Sequence, residues 1–358
     1  MDQIKVVIIG AGKRASEGYI PTIQTLSDRF HLAAIHDIDP DRAAAAGAQF
    51  DIPFYSNLEE MFSNVTADFA IIAVPALEIH QATMDTAEFD LHLLVETPIS
   101  IDLASADQIA RIAKIHNVKL EIAETYYRRP HERIKQLMIQ EDVFGKINLA
   151  YCRFVGKGYH AASILRSYIG FDIPPVHVWG HQQDFQVQPH TQFPNATDKT
   201  DTECWQHGVI EFRDGRRAVY DFTTLSYGSP LRWHRSKATT EIYGEKGMCV
   251  GLEPMILNGD SKTHPIVIRR QETVIADVNV LEAYVAETKP KIVWENPFRE
   301  YPLTDSQVAL ALCLTDLENA IRNDTDLEYG FLNARTDREI DLAIGASADN
   351  NGIGIEIL

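Results

Sequence analysis

The sequence has 358 residues, 45% of them hydrophobic and 23% charged, with a net charge of −18. This length and composition predict a globular chain of two domains or one large α/β unit, with no apolar run long enough to span a membrane. The acidic balance argues against nucleic acid or anionic lipid as a partner, because both bind basic surfaces. Four scattered cysteines without a CxxC pair predict neither a disulfide framework nor a metal site. With no signal peptide pattern, we expect a reduced cytoplasmic setting.

The first third of the chain alternates apolar runs with helical patterns. Ile4–Ile9 is a β-branched run apart from Lys5, as expected for a strand buried on both faces. Further strands are predicted at 32–36, 67–74, 91–95 and 118–124, with helices to about residue 30 and at 41–50, about 76–89 and 104–116. Such alternation predicts a doubly wound parallel sheet with right-handed crossovers, and hence the α/β class.

The pattern changes after residue 126. Strands are predicted at 146–154, 207–212, 217–224, 239–243 and 265–269, and helices at 132–139, 160–169, 305–322 and 333–349. Strands in series with few helices between them predict a second, α+β domain with a mostly antiparallel sheet. We therefore divide the chain into residues 1–125 and 126–358. The polar segment 182–202 is predicted to be a loop, and 232–235 (Arg-Trp-His-Arg) is expected on the second domain's sheet or at a subunit interface.

A glycine motif follows the first strand. Gly10-x-Gly12-x-x-Ala15 lies between a strand and a helix, where such glycines permit a tight turn and close approach of a pyrophosphate. Asp37 ends the second strand and can bind both ribose hydroxyls, which favours NAD over NADP. Lys13 and Arg14 provide a counter-argument, since either can pair with an extra phosphate. The alternative interpretation is a glycine turn without a cofactor, with Asp37 as a helix N-terminal residue.

The motifs together resemble the Gfo/Idh/MocA family of sugar and cyclitol oxidoreductases. The matching stretches are IIGAGKRA, HDIDPDRA, AIIAVPALEIH and ETPIS in the first domain, then YHAASILRSYIG, IEFRDGRRAVYDF, TTEIYGEKGMCVG and the C-terminal GIGIEIL. The resemblance implies a Rossmann domain that binds NAD, and a second domain with a large open sheet that binds substrate and forms a homodimer or homotetramer. It also implies that the last helix can pack back on the first domain.

The resemblance also implies a cofactor site and its departures from the family pattern. The cofactor residues are Gly10, Gly12, Lys13, Arg14, Ala15, Asp37, Val74, Pro75, His80, Glu96, Thr97 and Pro98. The family has lysine where this chain has Thr97, and a cis peptide bond is expected before Pro98. The family's two aspartates correspond to Gly156 and Ser163. Of the family's proton-handling residues, His160 remains.

Two further groups are candidates for substrate chemistry. His160, with Tyr159 and Thr97, is predicted to be catalytic, because an imidazole can exchange protons near neutral pH. The segment after the fifth strand is predicted to bind a hydroxylated or carboxylated substrate together with His160; it comprises Glu124, Tyr126, Tyr127, Arg128 and Arg129. An interdomain ion pair of these arginines with Glu132 or Glu124 is an equally open interpretation. Capping or packing is the alternative for His160, and packing is the favoured interpretation for Tyr159.

These features favour an NAD-dependent oxidoreductase acting on a sugar, cyclitol or sugar acid. The chemistry is either hydride transfer or transient oxidation that permits elimination. The alternative is a binding or regulatory protein that recognises NAD without redox turnover, which the loss of the family lysine at Thr97 favours.

Overall fold

Most strands and helices follow the apolar pattern of the sequence. The computed structural model describes residues 2–192, 197–231, 239–259 and 261–357, so segment 232–235 lies outside the described residues. The strands are β1 Ile4–Ile9, β2 Phe30–His36, β3 Phe54–Tyr55, β4 Phe69–Ile72, β5 His92–Val95, β6 Leu120–Ile122, β7 Ile147–Arg153, β8 Pro175–Thr191, β9 Lys199–Phe212, β10 Arg217–Thr223, β11 Thr239–Gly244, β12 Gly247–Val250, β13 Glu253–Leu257, β14 Thr263–Pro265, β15 Ile268–Ile275, β16 Val278–Ala286, β17 Ile292–Glu295 and β18 Ile355–Glu356.

The helices alternate with the strands in the first third of the chain and are fewer after it. They are α1 Ile20–Thr25, preceded by a π-helical turn over Ala15–Tyr19, then α2 Pro40–Phe50, α3 Leu58–Asn64, α4 Ile79–Ala87, α5 Leu103–Ile115, α6 Pro130–Gln140, α7 Gly158–Ile169, α8 Thr224–Gly228, α9 Asp305–Asn323 and α10 Gly330–Asp349. No helix of the described residues is long and apolar enough to cross a membrane.

The chain forms two units that are not simply consecutive. The first comprises residues 1–129, 272–282 and 295–335, and the second comprises 130–271, 283–294 and 336–358. The first boundary lies four residues from the predicted division. The prediction assigned all residues after 125 to the second domain, but residues 295–335 belong to the first unit. Helix α9 lies in this segment and packs against α1, β5 and β6. Residues 336–349 of α10 belong to the second unit.

The first unit contains a six-stranded sheet in the order β3-β2-β1-β4-β5-β6. All its strand pairs are parallel. Central strand β1 is buried on both faces except at Lys5, with Val6, Val7 and Ile8 fully inaccessible, which accounts for its mostly apolar sequence. The predicted doubly wound sheet is confirmed. β3 and α3 were not predicted, since β3 has two residues and lacks an apolar run.

The second unit contains a nine-stranded sheet in the order β14-β13-β12-β11-β7-β10-β9-β8-β18. Its pairs are antiparallel except β10 with β7, so the prediction of a mostly antiparallel sheet is confirmed. Helix α10 crosses β8 and β9 where Gly180 and Gly208 face each other, and a Cβ on Gly180 would lie 2.0 Å from the Ile344 carbonyl oxygen. A third sheet has the order β15-β16-β17.

The prediction of a loop at 182–202 is wrong for most of that segment. Residues 175–191 and 199–212 are the paired strands β8 and β9. The outer half of β8 is exposed on both faces from His181 to Gln186. A strand without a buried face lacks the apolar alternation that identifies strands in sequence.

Candidate functional site

A cavity of about 400 Å³ in the first unit lies at the carboxyl ends of β1, β2 and β4. Ile9, His36 and Ala73, at or just beyond these strand ends, line it. The strand order reverses at the β1–β4 pair, since β2 and β3 continue to one side and β5 and β6 to the other. Ligands of doubly wound sheets bind in the crevice at such a reversal.

The glycine turn shapes one wall of this cavity. Gly10 has a φ of +104°, and a Cβ there would lie 2.6 Å from the Ala73 carbonyl oxygen, so no other residue fits without strain. A Cβ on Gly12 would meet nothing within 4 Å. The space beside Gly12 is therefore open next to the helical residues that start at 13. A pyrophosphate fits such a space, because free backbone N–H groups at a helix start bind anions.

Asp37 forms the polar end of the cavity. Its Oδ2 accepts from the Ala11 N–H at 2.9 Å, and its Oδ1 accepts from the Asp39 N–H at 2.9 Å and from Arg42 Nη2 at 3.0 Å. Burial raises the pKa of Asp37, but these hydrogen bonds and the Arg42 charge outweigh it and lower the pKa below its usual value. The carboxylate is thus ionised and fixed, and Oδ2 retains a lone pair for a ligand hydroxyl.

The sequence analysis missed several residues of the cavity wall, among them Ile38, Leu77 and Arg42. Ile38 and Leu77 line the cavity although they are 74% and 79% exposed, and Arg42 lines it beside Asp37. Two exposed apolar side chains in the wall of this cavity suit a flat ring such as adenine. The sequence features that could have indicated Ile38 and Leu77 were an isoleucine between Asp37 and Asp39 and a leucine in the segment that follows β4.

A second group of predicted residues forms a hydrogen-bonded turn after β5. Glu96 accepts from Arg14 Nε and from the Tyr19 hydroxyl at 2.6 Å, and its other oxygen accepts from the Thr97 N–H at 3.1 Å. The Thr97–Pro98 peptide bond is cis, as the resemblance implied. Burial and then the charge of Glu96 raise the pKa of Tyr19 well above its usual range. Arg14 is therefore committed to a carboxylate within the protein.

The remaining predicted cofactor residues lie in the cavity wall, at the start of the first helix or in α4. Val74 and Pro75 line the cavity together with Gly10, Gly12 and Asp37. Ala15 is fully buried at the start of the π-helical turn, whereas the Lys13 side chain is 71% exposed beside Glu17. His80 is the second residue of α4, and its Nε2 is buried without a hydrogen-bond partner among the described residues.

The structure corrects the role predicted for Arg128 and Tyr127. Both are fully buried, and Arg128 lies among the carboxylates of Glu121, Asp316 and Glu328, at 3.2, 2.8 and 3.7 Å. Its Nε also donates to the Tyr127 hydroxyl at 2.8 Å. A guanidinium so enclosed cannot bind substrate. The predicted alternative was an interdomain ion pair with Glu132 or Glu124. Arg128 does form ion pairs, but its partners Glu121, Asp316 and Glu328 belong to its own unit.

Two neighbouring candidates for substrate binding, Tyr126 and Arg129, are partly exposed. Arg129 lies over the Tyr126 ring at 3.9 Å from its centre, and both side chains are half-buried. Glu124 is buried and accepts from the Tyr126 N–H at 2.8 Å. Tyr126 and Arg129 therefore remain candidates for ligand contact, and Glu124 holds the turn that presents them.

His160 and Tyr159 lie in the second unit, in the first turn of α7. Their ring centres are 4.4 Å apart and both residues are half-buried. The Lys157 side chain does not cap this helix. Ser163, at a position of the family pattern, donates its hydroxyl to the His160 carbonyl at 2.8 Å.

Comparison with known proteins finds a family model that matches most of the first unit's N-terminal segment. Residues 4–124 match the Gfo/Idh/MocA model, described as an oxidoreductase family with an NAD-binding Rossmann fold. Inositol 2-dehydrogenase of Renibacterium salmoninarum is 28% identical over 108 residues, or 30% of this chain and 32% of that protein. Alignments with the curated relatives span less than half of those relatives' lengths.

Solved structures share the fold over the whole chain. A levoglucosan dehydrogenase, in complex with NADH and levoglucosan, has a TM-score of 0.74 at 16% identity and covers 99% of this chain and 100% of its own. The WlbA dehydrogenase of Bordetella pertussis, in complex with NADH and UDP-GlcNAcA, has a TM-score of 0.69 at 17% identity, with coverages of 99% and 98%. The match of residues 4–124 to a model with an NAD-binding Rossmann fold confirms the prediction of NAD as cofactor, and the geometry at Gly10, Gly12 and Asp37 fits that cofactor.

Proposed function

We propose that this protein is an NAD-dependent oxidoreductase that acts on a secondary alcohol of a sugar, cyclitol or sugar acid. The observation that carries the proposal is the cavity bounded by Gly10, Gly12 and Asp37. It combines open space for a pyrophosphate, an ionised carboxylate for the ribose and apolar walls for the adenine. The first unit is thereby proposed to be the NAD-binding part of the chain.

The preference for NAD follows from the charge of Asp37. An ionised carboxylate accepts hydrogen bonds from ribose hydroxyls and repels a 2′-phosphate. Arg42 offsets part of this repulsion, because it lies 3.0 Å from Asp37 Oδ1 with 57% of its side chain exposed. Arg14 contributes less than its sequence position suggested, since Glu96 holds it. We therefore expect NAD to bind more tightly than NADP, with a modest rather than absolute discrimination.

The proton chemistry is assigned to His160. Bound NAD⁺ supplies the hydride acceptor, so that an alcohol becomes a carbonyl and its hydroxyl releases one proton. An imidazole accepts such a proton near neutral pH, whereas the Thr97 hydroxyl can only orient the substrate oxygen by hydrogen bonding. Tyr159 is a neighbouring donor, and Tyr126 and Arg129 are proposed substrate contacts. The second unit is proposed to supply substrate binding and the oligomer interface.

Two other functions use the same cavity. Transient oxidation beside a leaving group would permit elimination, and this also needs the base at His160. A regulatory protein that binds NAD without turnover is favoured by Thr97, because a neutral side chain replaces the family's lysine. Turnover separates the regulatory alternative from both enzymatic ones.

The test is reduction of NAD⁺ with a panel of cyclitols, aldoses and aldonic acids, followed by absorbance at 340 nm, together with product analysis for dehydration. We expect one class to react, His160→Ala to lower kcat by about 10²–10⁴-fold with NADH affinity within a few-fold, and Thr97→Ala to cost much less. His31→Ala, at an exposed histidine of β2, is the matched control. Equal losses for Thr97→Ala and His160→Ala would overturn the assignment of the base, and no reaction of any panel member would favour the regulatory protein.

A further inference from the structure

An arginine from the turn after β1 reaches the turn after β5. Arg14 Nε forms an ion pair with Glu96 Oε1, although β4 lies between β1 and β5 in the sheet. The Tyr19 hydroxyl donates to the same oxygen at 2.6 Å, and the Arg14 guanidinium carbon lies 5.2 Å from the centre of the Tyr19 ring. The guanidinium is therefore held at the residue that precedes Thr97.

The more exposed member of this ion pair is the cation. The Arg14 side chain is 43% exposed, whereas the Glu96 side chain is 11% exposed. Three donors enclose the Glu96 carboxylate, because the Thr97 N–H bonds its second oxygen at 3.1 Å in addition to the bonds from Arg14 and Tyr19. The terminal nitrogens of Arg14 have no hydrogen-bond partner among the described residues. A ligand at this turn thus meets a guanidinium, which stays charged at neutral pH.

The strand order brings the nicotinamide end of a bound NAD to this turn. Asp37 follows β2 and Gly12 follows β1, so a dinucleotide with its ribose at Asp37 and its pyrophosphate at Gly12 runs from β2 towards β1. Neighbouring strands are about 4.8 Å apart, and the half beyond the pyrophosphate therefore continues over β4 and β5. Thr97 lies two residues beyond the end of β5. Arg14 is thus a cation beside the part of the cofactor whose charge changes on reduction.

We propose that Arg14 sets a preference of the site for NADH over NAD⁺. The inference rests on the proposed function, in which the first unit binds NAD. The nicotinamide ring carries a positive charge in NAD⁺ and none in NADH, so a fixed cation within about 10 Å repels only the oxidised ring. A tenfold preference for NADH raises the reduction potential of the bound couple by about 30 mV. The protein thereby favours the direction in which an alcohol is oxidised.

The test measures the dissociation constants of NAD⁺ and NADH for the whole chain without substrate. NADH is followed by its fluorescence, and NAD⁺ by competition against bound NADH. We expect the ratio of the NAD⁺ constant to the NADH constant to fall about three- to tenfold in Arg14→Met, and to fall less in Arg14→Lys, which keeps the charge. Glu96→Gln should raise the ratio, because it removes the negative member of the pair.

Arg29→Met is the matched control. Arg29 is also a partly exposed arginine of the first unit that pairs with a buried glutamate, Glu318, at 2.6 Å, but it does not line the cavity. This variant should leave both dissociation constants unchanged. An equal fall of the ratio in Arg29→Met and Arg14→Met would overturn the proposal.

The ratio also separates this role from simple anion binding. An Arg14→Met variant that binds NAD⁺ and NADH equally more weakly would overturn the proposal, since the guanidinium would then act on the pyrophosphate that both forms share. A lower ratio in Glu96→Gln would contradict it as well. Should Arg14→Met fail to fold, Arg14→Gln takes its place, because its amide can still donate to Glu96, and the same outcomes decide. A changed ratio without turnover in the unmodified protein would refute the proposed enzyme and leave the role of Arg14 intact, whereas binding of neither form would refute both.

Discussion

At the scale of single residues, Gly12 distinguishes a ligand-binding turn from a structural one. Its Cβ position is open in the protein, but it points to where the pyrophosphate is proposed to lie. We predict that Gly12→Ala weakens NADH binding by about tenfold or more, which corresponds to about 1.4 kcal/mol, while the thermal midpoint stays within about 1–2 °C. Fluorescence titration and thermal unfolding measure the two quantities.

The control for this prediction is Gly345→Ala in α10, where a Cβ also meets nothing within 4 Å. Alanine in a helix interior is expected to stabilise the fold by about 0.5–1 kcal/mol and to leave NADH affinity unchanged. Unchanged NADH affinity in Gly12→Ala would contradict the location of the pyrophosphate.

The site residues differed in how far sequence could place them. The turn at Gly10 and Asp37 was predictable because its conformation and hydrogen bonds involve residues in a fixed order after β1 and β2. Arg128 was misplaced because its partners Asp316 and Glu328 are distant in sequence. Local chemistry shows that an arginine can bind a carboxylate, but not whether that carboxylate belongs to the protein or to a ligand.

At the scale of elements, the ion cluster around Arg128 links β6, the following turn and α9. Glu121, Asp316 and Glu328 place three carboxyl groups around one guanidinium, and Glu121 and Arg128 are fully buried. Burial raises the pKa of Glu121 to about 8, although Arg128 opposes it, and burial likewise raises that of Asp316. The folded protein therefore retains a proton that the unfolded chain releases near pH 4.5.

This cluster makes the stability depend on pH. Between pH 4.5 and 8 the folded state binds more protons than the unfolded state, so the Glu121 contribution is present below this window and is lost as pH rises through 8. We predict that the free energy of unfolding falls between pH 4.5 and 8 by at most ~1.4 kcal/mol per pH unit for each carboxyl group whose pKa is raised. Glu121→Gln should make this fall less steep. Denaturant unfolding at pH 5, 6, 7 and 8 measures it.

Glu141→Gln, at an exposed glutamate after α6, provides the comparison for a carboxylate without this environment. This variant should show the same dependence of the free energy of unfolding on pH as the unmodified protein. A Glu121→Gln variant with the slope of the unmodified protein would show that Glu121 is ionised in the folded state.

The predictability of the elements depended on their burial. Strands β1, β4 and β5 were found from sequence because nearly all of their residues are buried, on both faces, which requires mostly apolar runs. The hairpin of β8 and β9 was partly missed, because its outer half gains stability from backbone pairing without burying side chains. The assignment of α9 to the first unit also depends on tertiary packing, which periodicity alone does not reveal.

At the scale of the whole molecule, the less covered face of the second sheet carries an apolar row. The registers of β8, β9, β10 and β7 align Trp179, Val209, Val219 and Tyr151. Their neighbours Val178, Ile210 and Ala218, on the opposite face, are fully buried. We predict a dimer or tetramer formed through this row, because pairing would remove its apolar surface from water.

Light scattering at micromolar concentration tests this assembly. Val209→Glu should lower the mass to that of a monomer, whereas Ile115→Glu, at an apolar residue of α5 that is 75% exposed, should not. A monomeric mass for the unmodified protein would contradict the predicted interface.

The central claim, that the cavity at Asp37 binds NAD, is tested most directly by titrating the protein with NADH and with NADPH and following nicotinamide fluorescence. We predict that NADH binds at least several-fold more tightly, and that Asp37→Ala narrows this gap while Asp41→Ala, at an exposed aspartate of the same α2 region, preserves it. Equal affinities for NADH and NADPH in the unmodified protein, or an unchanged gap in Asp37→Ala, would contradict the assignment.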